Sequence, residues 1–155
     1  EVKMIKLQVE DFDVSRELSV MLSGHKQVGG VCTFVGLVRE YDSSEPLNSL
    51  TLEHYPEMTK KELIKIEKQA KEKWTLKDSL IIHRYGRLVP SDQIVFVATA
   101  SAHRSDAFNS CEYIVDYLKT RAPFWKKEEY KSRVKWVEAR SSDEDAVNKW
   151  EEVAN

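Results

Sequence analysis

The chain has 155 residues, of which 41% are hydrophobic and 32% charged, and its formal net charge is -2. This composition is typical of one globular domain with a real core, and it excludes extensive disorder. The small net charge excludes a global field that attracts nucleic acid or anionic membrane, and no apolar run reaches the roughly 20 residues of a membrane span. The opening stretch EVKMIKLQVEDF has no secretory h-region, which favours the cytoplasm.

The first forty residues predict a strand, a helix and a second strand. Residues 5–9 alternate in polarity as a strand does, and Asp13 is placed to cap a helix with one buried face. The run VCTFVGLV is β-branched and long enough for a central strand, and Gly36 inside it indicates a bulge or a close backbone approach. The polar residues 41–47 predict a loop.

The next segment predicts a strand followed by a helix. SLTLEHY alternates again, with Leu50 and His54 on one face, and Pro56 should end the strand. Thr59 with Glu62 has the spacing of a capping box. The buried stripe of the helix should consist of Leu63, Ile66, Ala70 and Trp74.

Two strand patterns, LIIHRYG and QIVFVATA, then flank a predicted turn at Pro90-Ser91-Asp92. A strand-to-helix transition follows, where Ser105 or Asp106 can cap the helix. The core face of that helix is predicted to carry Phe108, Cys111, Val115 and Leu118. The helix should end near residue 121 or 122, because a proline follows and disfavours helix in the residue before it.

The chain closes with a strand pattern, VKWVEA, and a helix that Ser141 with Glu144 can cap. Ala146, Val147 and Trp150 should form the buried side of this helix. Strands and helices mix along the chain without strict βαβ alternation, and several connections have hairpin length. This order predicts an α+β fold with mostly antiparallel sheet, in a single domain over residues 1–155.

The least ordinary stretch is YLKTRAPFWKKE, residues 117–128. A second short helical turn can start at Pro123, so that Phe124 and Trp125 lie at a bend between cations. A concave cationic corner with apolar walls suits a small anion. The alternative is that the basic residues decorate a solvated helix end and favour its dipole. The four cations are Lys119, Arg121, Lys126 and Lys127.

His103 and Arg104 lie where a strand passes into a helix N-terminus, which suits an anion, although packing and an ion pair are an equal alternative. A helix of about 15 residues spans about 22 Å, so one protomer cannot bring both His103 and Lys119 to one small ligand. The chain either folds back at the bend or forms a symmetric dimer. For His83-Arg84 a structural role is favoured, because a strand separates the two side chains.

The remaining chemistry-bearing residues give no strong signal. Cys32 and Cys111 are far apart in sequence, and buried free thiols are the favoured interpretation. His25 and His54 have no suggestive neighbours, and no His, Cys, Asp and Glu set has convincing metal spacing. Neither a metal nor a cofactor is therefore expected.

Six blocks of sequence together resemble one family: FVGLVRE, LTLEHYPEMT, IIHRYGRL, SAHRSDAF, DYLKTRAPFWKKE and WVEAR. They resemble the large catalytic subunit of molybdopterin synthase, and the match runs in order from about Val28 to Arg140 of this chain. DYLKTRAPFWKKE is the most specific of them. The chain departs from the family in a loop, residues 42–47, that lacks the usual glycine, and at Ser91, where the family often has glycine.

The resemblance implies an α/β-hammerhead fold with an additional antiparallel β-sheet. It implies a homodimer at the core of a heterotetramer, with a small ubiquitin-like sulfur-carrier subunit at each end. The carrier's C-terminal Gly-Gly thiocarboxylate would enter a pocket and supply two sulfurs to cyclic pyranopterin monophosphate, forming the dithiolene of molybdopterin. By motif, Lys119 and Lys126 would be catalytic. The substrate would meet Leu37, Val38, Arg39, His103, Arg104, Lys119, Lys126, Lys127 and Glu128.

The residues fit this chemistry, because an anionic pterin phosphate and a thiocarboxylate both need cations in a partly dry site. A lysine surrounded by Arg121, Lys126 and Lys127 should have a lowered pKa and could transfer protons near neutral pH. No metal is required if the carrier delivers activated sulfur. Two other functions stay open: a noncatalytic module that docks a ubiquitin-like partner through Phe124 and Trp125, and, more weakly, a single-strand nucleic-acid binder.

Overall fold

The computed structural model describes residues 5–40, 45–137 and 141–153, without the side chains of 141–143, 152 and 153. Eight strands and four helices lie in this part of the chain. In order they are β1 (Ile5–Gln8), α1 (Val14–Leu22), β2 (Gly30–Leu37), β3 (Leu47–His54), α2 (Pro56–Lys73), β4 (Asp78–Arg84), β5 (Gly86–Leu88), β6 (Gln93–Ser101), α3 (Arg104–Arg121), β7 (Phe124–Tyr130), β8 (Val134–Val137) and α4 (Ser141–Val153). None of the described helices is long and apolar enough to cross a membrane.

The first sheet has the strand order β1-β4-β6-β2, in which only the β1–β4 pair is parallel. Apolar side chains cover both of its faces. One face packs against α2, α3 and α4, around Leu63, Ile81 and Ile114. The other packs against α1, around Met21 and Phe96. A sheet that is buried on both faces explains the nearly continuous apolar runs of β4 and β6.

The second sheet is entirely antiparallel and has the order β5-β3-β7-β8. The chain enters it from β4 at Gly86, whose φ of +88° belongs to the left-handed region that glycine tolerates. Its core includes Leu52, Leu88 and Tyr130, and Ile94 of the first sheet packs against it. The two sheets therefore meet along a seam, and the α+β class with an additional antiparallel sheet is confirmed.

Several local predictions are confirmed. Asp13 caps α1 and accepts a hydrogen bond from the backbone N–H of Arg16 at 3.1 Å. The register between β2 and β6 shifts at Gly36, as its position in the strand predicted. Ser91 has a φ of 79°, and no other described non-glycine residue has a positive φ, which explains why a glycine suits this turn.

Two predictions about β2 and α2 are wrong. β2 is not a central strand but lies at the edge of the first sheet, next to β6 only. Thr59 and Glu62 do not form a capping box, because α2 already begins at Pro56, whose fixed φ suits a first helical position. Thr59 is instead buried in the first turn, and its hydroxyl donates to the carbonyl of Tyr55 at 3.0 Å.

Three predictions around α3 are also wrong. The N-cap is His103 without a side-chain bond, so neither Ser105 nor Asp106 caps the helix. Phe108 is 62% exposed, because the buried stripe runs through neighbouring positions such as Ala107 and Cys111 and leaves Phe108 about 100° away around the axis. No helical turn follows Pro123: β7 begins at once, since β3 offers it a hydrogen-bonding partner.

Short strand β5 was not predicted, because the pattern LIIHRYG includes Gly86 in the preceding strand and leaves Arg87 and Leu88 in the connection to β6. Cys111 is buried as predicted, whereas Cys32 is only half-buried. Residues 41–44 of the predicted loop, the end of VKWVEA and the cap at Ser141 lie outside the described residues or side chains.

Candidate active site

A partly open cavity of about 110 Å³ lies where the end of α3 meets the seam between the two sheets. β2, β4, β6 and the end of α3 form one side of it, and β3 and β7 form the other. Most of its wall is apolar. The lining residues are Phe34, Gly36, Leu37, Leu52, His83, Ile94, Val95, Val115, Leu118, Lys119, Ala122, Phe124 and Lys126.

Two lysines reach this cavity from different elements. Lys119 comes from the last turn of α3, where the neighbouring Leu118 is buried and fixes the backbone. Lys126 lies two residues after Phe124 in β7, so both side chains are on the same face of the strand. No carboxylate is among the described lining residues. Two cations beside an apolar wall attract an anion more strongly than they would in open water.

Gly36 keeps the cavity open. A Cβ atom at this position would lie 2.7 Å from Cγ1 of Val95, which is closer than real Cβ contacts allow. The bulge after Gly36 then turns Leu37 to the cavity mouth. The sequence signal of a glycine inside a β-branched strand thus identified a wall of the site.

His83 is a cavity residue for which sequence analysis favoured a structural role. Its ring is 9% exposed and stacks on Phe124, with the ring centroids 3.9 Å apart and the planes at 15°. Burial, with a smaller contribution from the charges of Lys126 and Lys119, lowers the pKa of His83 from 6.5 to about 4. The imidazole is therefore neutral at physiological pH.

Four other predicted site residues lie close in sequence to the cavity residues but do not line the cavity: Val38, Arg39, Lys127 and Glu128. Val38 is buried, and its N–H donates to the carbonyl of Asp92 at 2.9 Å, while Arg39 follows it at the surface. Lys127 points to the opposite face of β7 from Lys126 and pairs with Glu129 at 3.3 Å. Glu128 is buried and accepts a hydrogen bond from the hydroxyl of Tyr130.

The cations do not crowd around Lys119 as predicted. Arg121 points away from the cavity and pairs with Glu144 at 3.6 Å and Glu151 at 3.7 Å. Lys127 is on the other face of its strand. Only Lys126 shares the cavity with Lys119, because a helix end and a strand project alternate side chains in different directions.

His103 and Arg104 lie at the far end of the same structure. A Cβ atom on Gly30 would be 3.5 Å from Cα of Arg104, so the start of α3 adjoins the start of β2. The cavity adjoins the other end of β2, at Leu37. Seven residues of strand separate these ends by about 23 Å. Within one protomer the structure therefore does not bring His103 and Arg104 to the lysines, as the helix length predicted.

The two-sheet fold and its lysine-lined cavity define an α+β protein with a site suited to an anion. The MoaE protein family matches residues 7–121. A molybdopterin synthase catalytic subunit of Ralstonia nicotianae is 47% identical over 94% of this chain and 83% of its own length. The one from Escherichia coli is 48% identical over 91% of this chain and 93% of its own.

Solved structures agree with the sequence relatives. The molybdopterin biosynthesis MoaE protein from Burkholderia ambifaria has a TM-score of 0.82 at 46% identity, with 96% of this chain and 98% of that chain covered. The chain therefore belongs to the MoaE protein family, as the resemblance in its sequence implied.

Proposed function

We propose that this chain carries the active site of a molybdopterin synthase. It takes sulfur from the C-terminal Gly-Gly thiocarboxylate of a small ubiquitin-like carrier and transfers it to cyclic pyranopterin monophosphate, which gives the dithiolene of molybdopterin. The observation that carries the proposal is the pair Lys119 and Lys126, which reach one cavity that has no carboxylate among its described lining residues. Both lysines belong to the motif that resembles the family, and both line the cavity.

The lining of the cavity favours different places for the two ligands. Its wall is mostly apolar and Gly36 forms part of it, so an extended glycine tail without side chains suits it. The pterin then lies at the mouth, where Leu37, Val38 and Arg39 follow one another, and its nearest reacting carbon faces the sulfur.

The lysines can serve both binding and chemistry. An ammonium group pairs with the thiocarboxylate, and this charge-assisted contact holds the sulfur toward the mouth. Sulfur addition also requires proton transfers and the departure of a ring oxygen, for which a lysine ammonium is a suitable general acid. Lys119 lies at the end of α3 beside the cavity, so its ammonium group is placed for proton transfer there.

The phosphate site requires a second protomer. β2 is an edge strand among the described residues, and two copies lying antiparallel would place the start of one β2 beside the end of the other. Arg104 adjoins Gly30, so this arrangement brings His103 and Arg104 of the partner subunit toward Arg39 and the cavity mouth. It would also cover Phe108, which is exposed in the single chain.

A mixed-dimer experiment tests the shared site. Arg104→Ala should weaken substrate binding by about 1.5–3 kcal/mol, the usual loss for a hydrogen bond to a charged group. Dimers reassembled from Arg104→Ala and Lys119→Ala chains should recover about one working site per dimer in molybdopterin formation. Activity no higher than that of the parent variants would refute sharing, and unchanged calorimetric affinity of Arg104→Ala would refute its phosphate contact.

A noncatalytic docking module is the second candidate, and one observation favours it. Trp125 is 44% exposed and meets Tyr55 edge-on at 4.9 Å, beside Trp136, so aromatic anchors for a protein partner are present. Phe124, by contrast, is a cavity wall. A docking module would bind the carrier and make no dithiolene, so incubation with thiocarboxylated carrier and pterin precursor separates the two functions.

Two further properties belong to the proposal. The chain works as one domain, since residues of both sheets form a single cavity. It works in the cytoplasm, since Cys32 and Cys111 are free thiols, as is usual in a reducing compartment.

A further inference from the structure

His83 lies on β4, one residue before the strand ends, and its side chain faces the cavity that Lys119 and Lys126 also reach. At neutral pH, His83 is the only described lining residue whose side chain can accept a hydrogen bond. The others are apolar or are lysines, whose ammonium groups only donate. Among the described lining side chains, the cavity thus combines two cationic donors with one acceptor.

The backbone fixes which ring nitrogen of His83 is the acceptor. Nδ1 is 2.8 Å from the carbonyl oxygen of Arg84. Because a carbonyl only accepts, Nδ1 must carry the proton and donate. In the neutral ring, Nε2 therefore carries the lone pair. Stacking on Phe124 holds the ring in this orientation.

Nε2 is open to the cavity. It has no hydrogen-bond partner among the residues that the structure describes, where Nδ1 makes the ring's one hydrogen bond. In the same part of the chain, no fully buried side-chain nitrogen or oxygen lacks a partner. Nε2 must then reach accessible space, and the cavity is the space that His83 lines.

We propose that His83 is a specificity residue of the sulfur-transfer site: its Nε2 accepts a hydrogen bond from the backbone amide of the last glycine of the incoming carrier tail. This inference rests on the proposed function. In a thiocarboxylate tail the last amide N–H is the donor nearest to the anionic end. Lys119 and Lys126 bind that anionic end, so the adjacent N–H meets the one side-chain acceptor among the described lining residues.

This arrangement selects a peptide terminus over a simple anion. A small inorganic anion satisfies the lysines but leaves Nε2 unpaired, whereas a glycine tail satisfies both. Gly36 complements the selection, because a side chain there would collide with Val95 and disturb the cavity wall that both residues form. His83 remains neutral and takes no proton from the tail, so it acts in binding and not in the chemical step.

The test combines protein variants with altered carriers. His83→Phe keeps the ring that stacks on Phe124 but removes the acceptor, and His83→Gln returns an acceptor oxygen near Nε2. The matched carriers have the last amide, or the penultimate amide as control, replaced by an ester, which removes one N–H at little change in size. Calorimetry measures the affinity of the carboxylate carriers, and KM and kcat are measured with thiocarboxylated ones.

The net value of one neutral hydrogen bond corresponds to about a 2- to 12-fold change. We expect His83→Phe to raise Kd and KM for the carrier by this factor with little change in kcat, and His83→Gln to recover much of the loss. The last-position ester should bind more weakly than the penultimate ester to the unaltered protein, and equally to His83→Phe. Melting curves of all variants report folding.

Equal losses from the two esters on the unaltered protein would overturn the proposal, and this comparison still decides if His83→Phe fails to fold. Unchanged carrier affinity in a folded His83→Phe would overturn it as well. Failure of the proposed function looks different, because the unaltered protein would then form no molybdopterin from thiocarboxylated carrier and pterin precursor.

Discussion

Two concave regions flank the C-terminal half of α3, and they have opposite characters. The lysine cavity described above encloses about 110 Å³. On the other side, a groove of about 550 Å³ lies between α2, α3 and α4. Volume alone would mark the groove as the functional site.

The groove has the features of a packing seam between helices. Its floor is aromatic, with the rings of Tyr113 and Trp150 edge-on at 5.6 Å. Its rim carries equal numbers of cations and carboxylates, and Arg121 pairs with two of the nearby glutamates. The charged lining residues are Glu62, Lys65, Glu72, Lys73, Arg121 and Glu151. Such a rim has little net attraction for an anion.

The comparison teaches that charge balance and enclosure distinguish the site better than size does. The lining of the small cavity, as far as the structure describes it, has two cations and no carboxylate, so an anionic ligand meets a net positive charge there. In the groove each cation already has acidic neighbours. Mutations on the two sides should therefore separate activity from stability.

Lys119→Ala should have the largest effect, and far more on activity than on stability or on carrier affinity, to which the lysine adds only one contact. Removing a proton-transfer group typically costs about 10²–10⁴-fold in rate, whereas alanine in an exposed helical position changes stability little. Molybdopterin formation, carrier affinity and Tm are measured on one preparation. Arg121→Ala, two residues along the same helix but on the groove side, is the matched control and should retain activity.

Near-normal product formation by Lys119→Ala would refute its catalytic role. A collapse of carrier affinity together with activity would make Lys119 a docking residue and would favour the binding-module function.

Trp150→Ala should show the reverse pattern on the groove side. Trp150 packs against Trp74 and Tyr113, and its indole N–H donates to Asp116 at 2.7 Å. Truncation of a buried aromatic costs about 3–5 kcal/mol, which lowers Tm by about 6–20 °C in a chain of this size. Activity per folded molecule should persist below the transition. A strong loss of activity with an unchanged Tm would instead make the groove functional.

Acid should lower the free energy of unfolding through His83 on the cavity side, by somewhat less than Trp150→Ala does. His83 has its pKa lowered to about 4 in the folded state, so between pH 6.5 and 4 the unfolded chain binds a proton that the folded chain does not. Stability is therefore complete above pH 6.5 and is lost as pH falls, by about 3 kcal/mol from this group. Urea unfolding at several pH values, compared with His83→Gln, isolates the contribution. Parallel curves for the two proteins would contradict it.

The sequence predicted what depends on local pattern. Apolar spacing identified α2, and Pro123 gave the end of α3. Asp13 gave the cap of α1, because its carboxylate needs only the next turn. It also placed Lys119 and Lys126 together through the family's motif. A cationic site at this bend was predicted, because Lys119 precedes the bend and Lys126 follows it.

The errors arise where tertiary partners decide. Residues after Pro123 became strand rather than helix because β3 was available to pair with them. That change in element sent Lys127 to the opposite face from Lys126. Phe108 fits a helical stripe by spacing, but the neighbouring sheet selects which stripe is buried. His83 was undervalued since no local pattern shows that Phe124, forty-one residues later, stacks on it.

The cavity is built from both sheets, and this position governs how the protein responds to heat. Phe34, His83 and Val95 belong to the first sheet, while Leu52, Phe124 and Lys126 belong to the second. The second sheet has the smaller core, so it is the first candidate for local opening. Such opening would separate Lys126 from Lys119 while the helices stay folded. We therefore expect heat inactivation to precede the loss of helical circular dichroism, and a thermal assay of activity to report the weaker sheet rather than the whole chain.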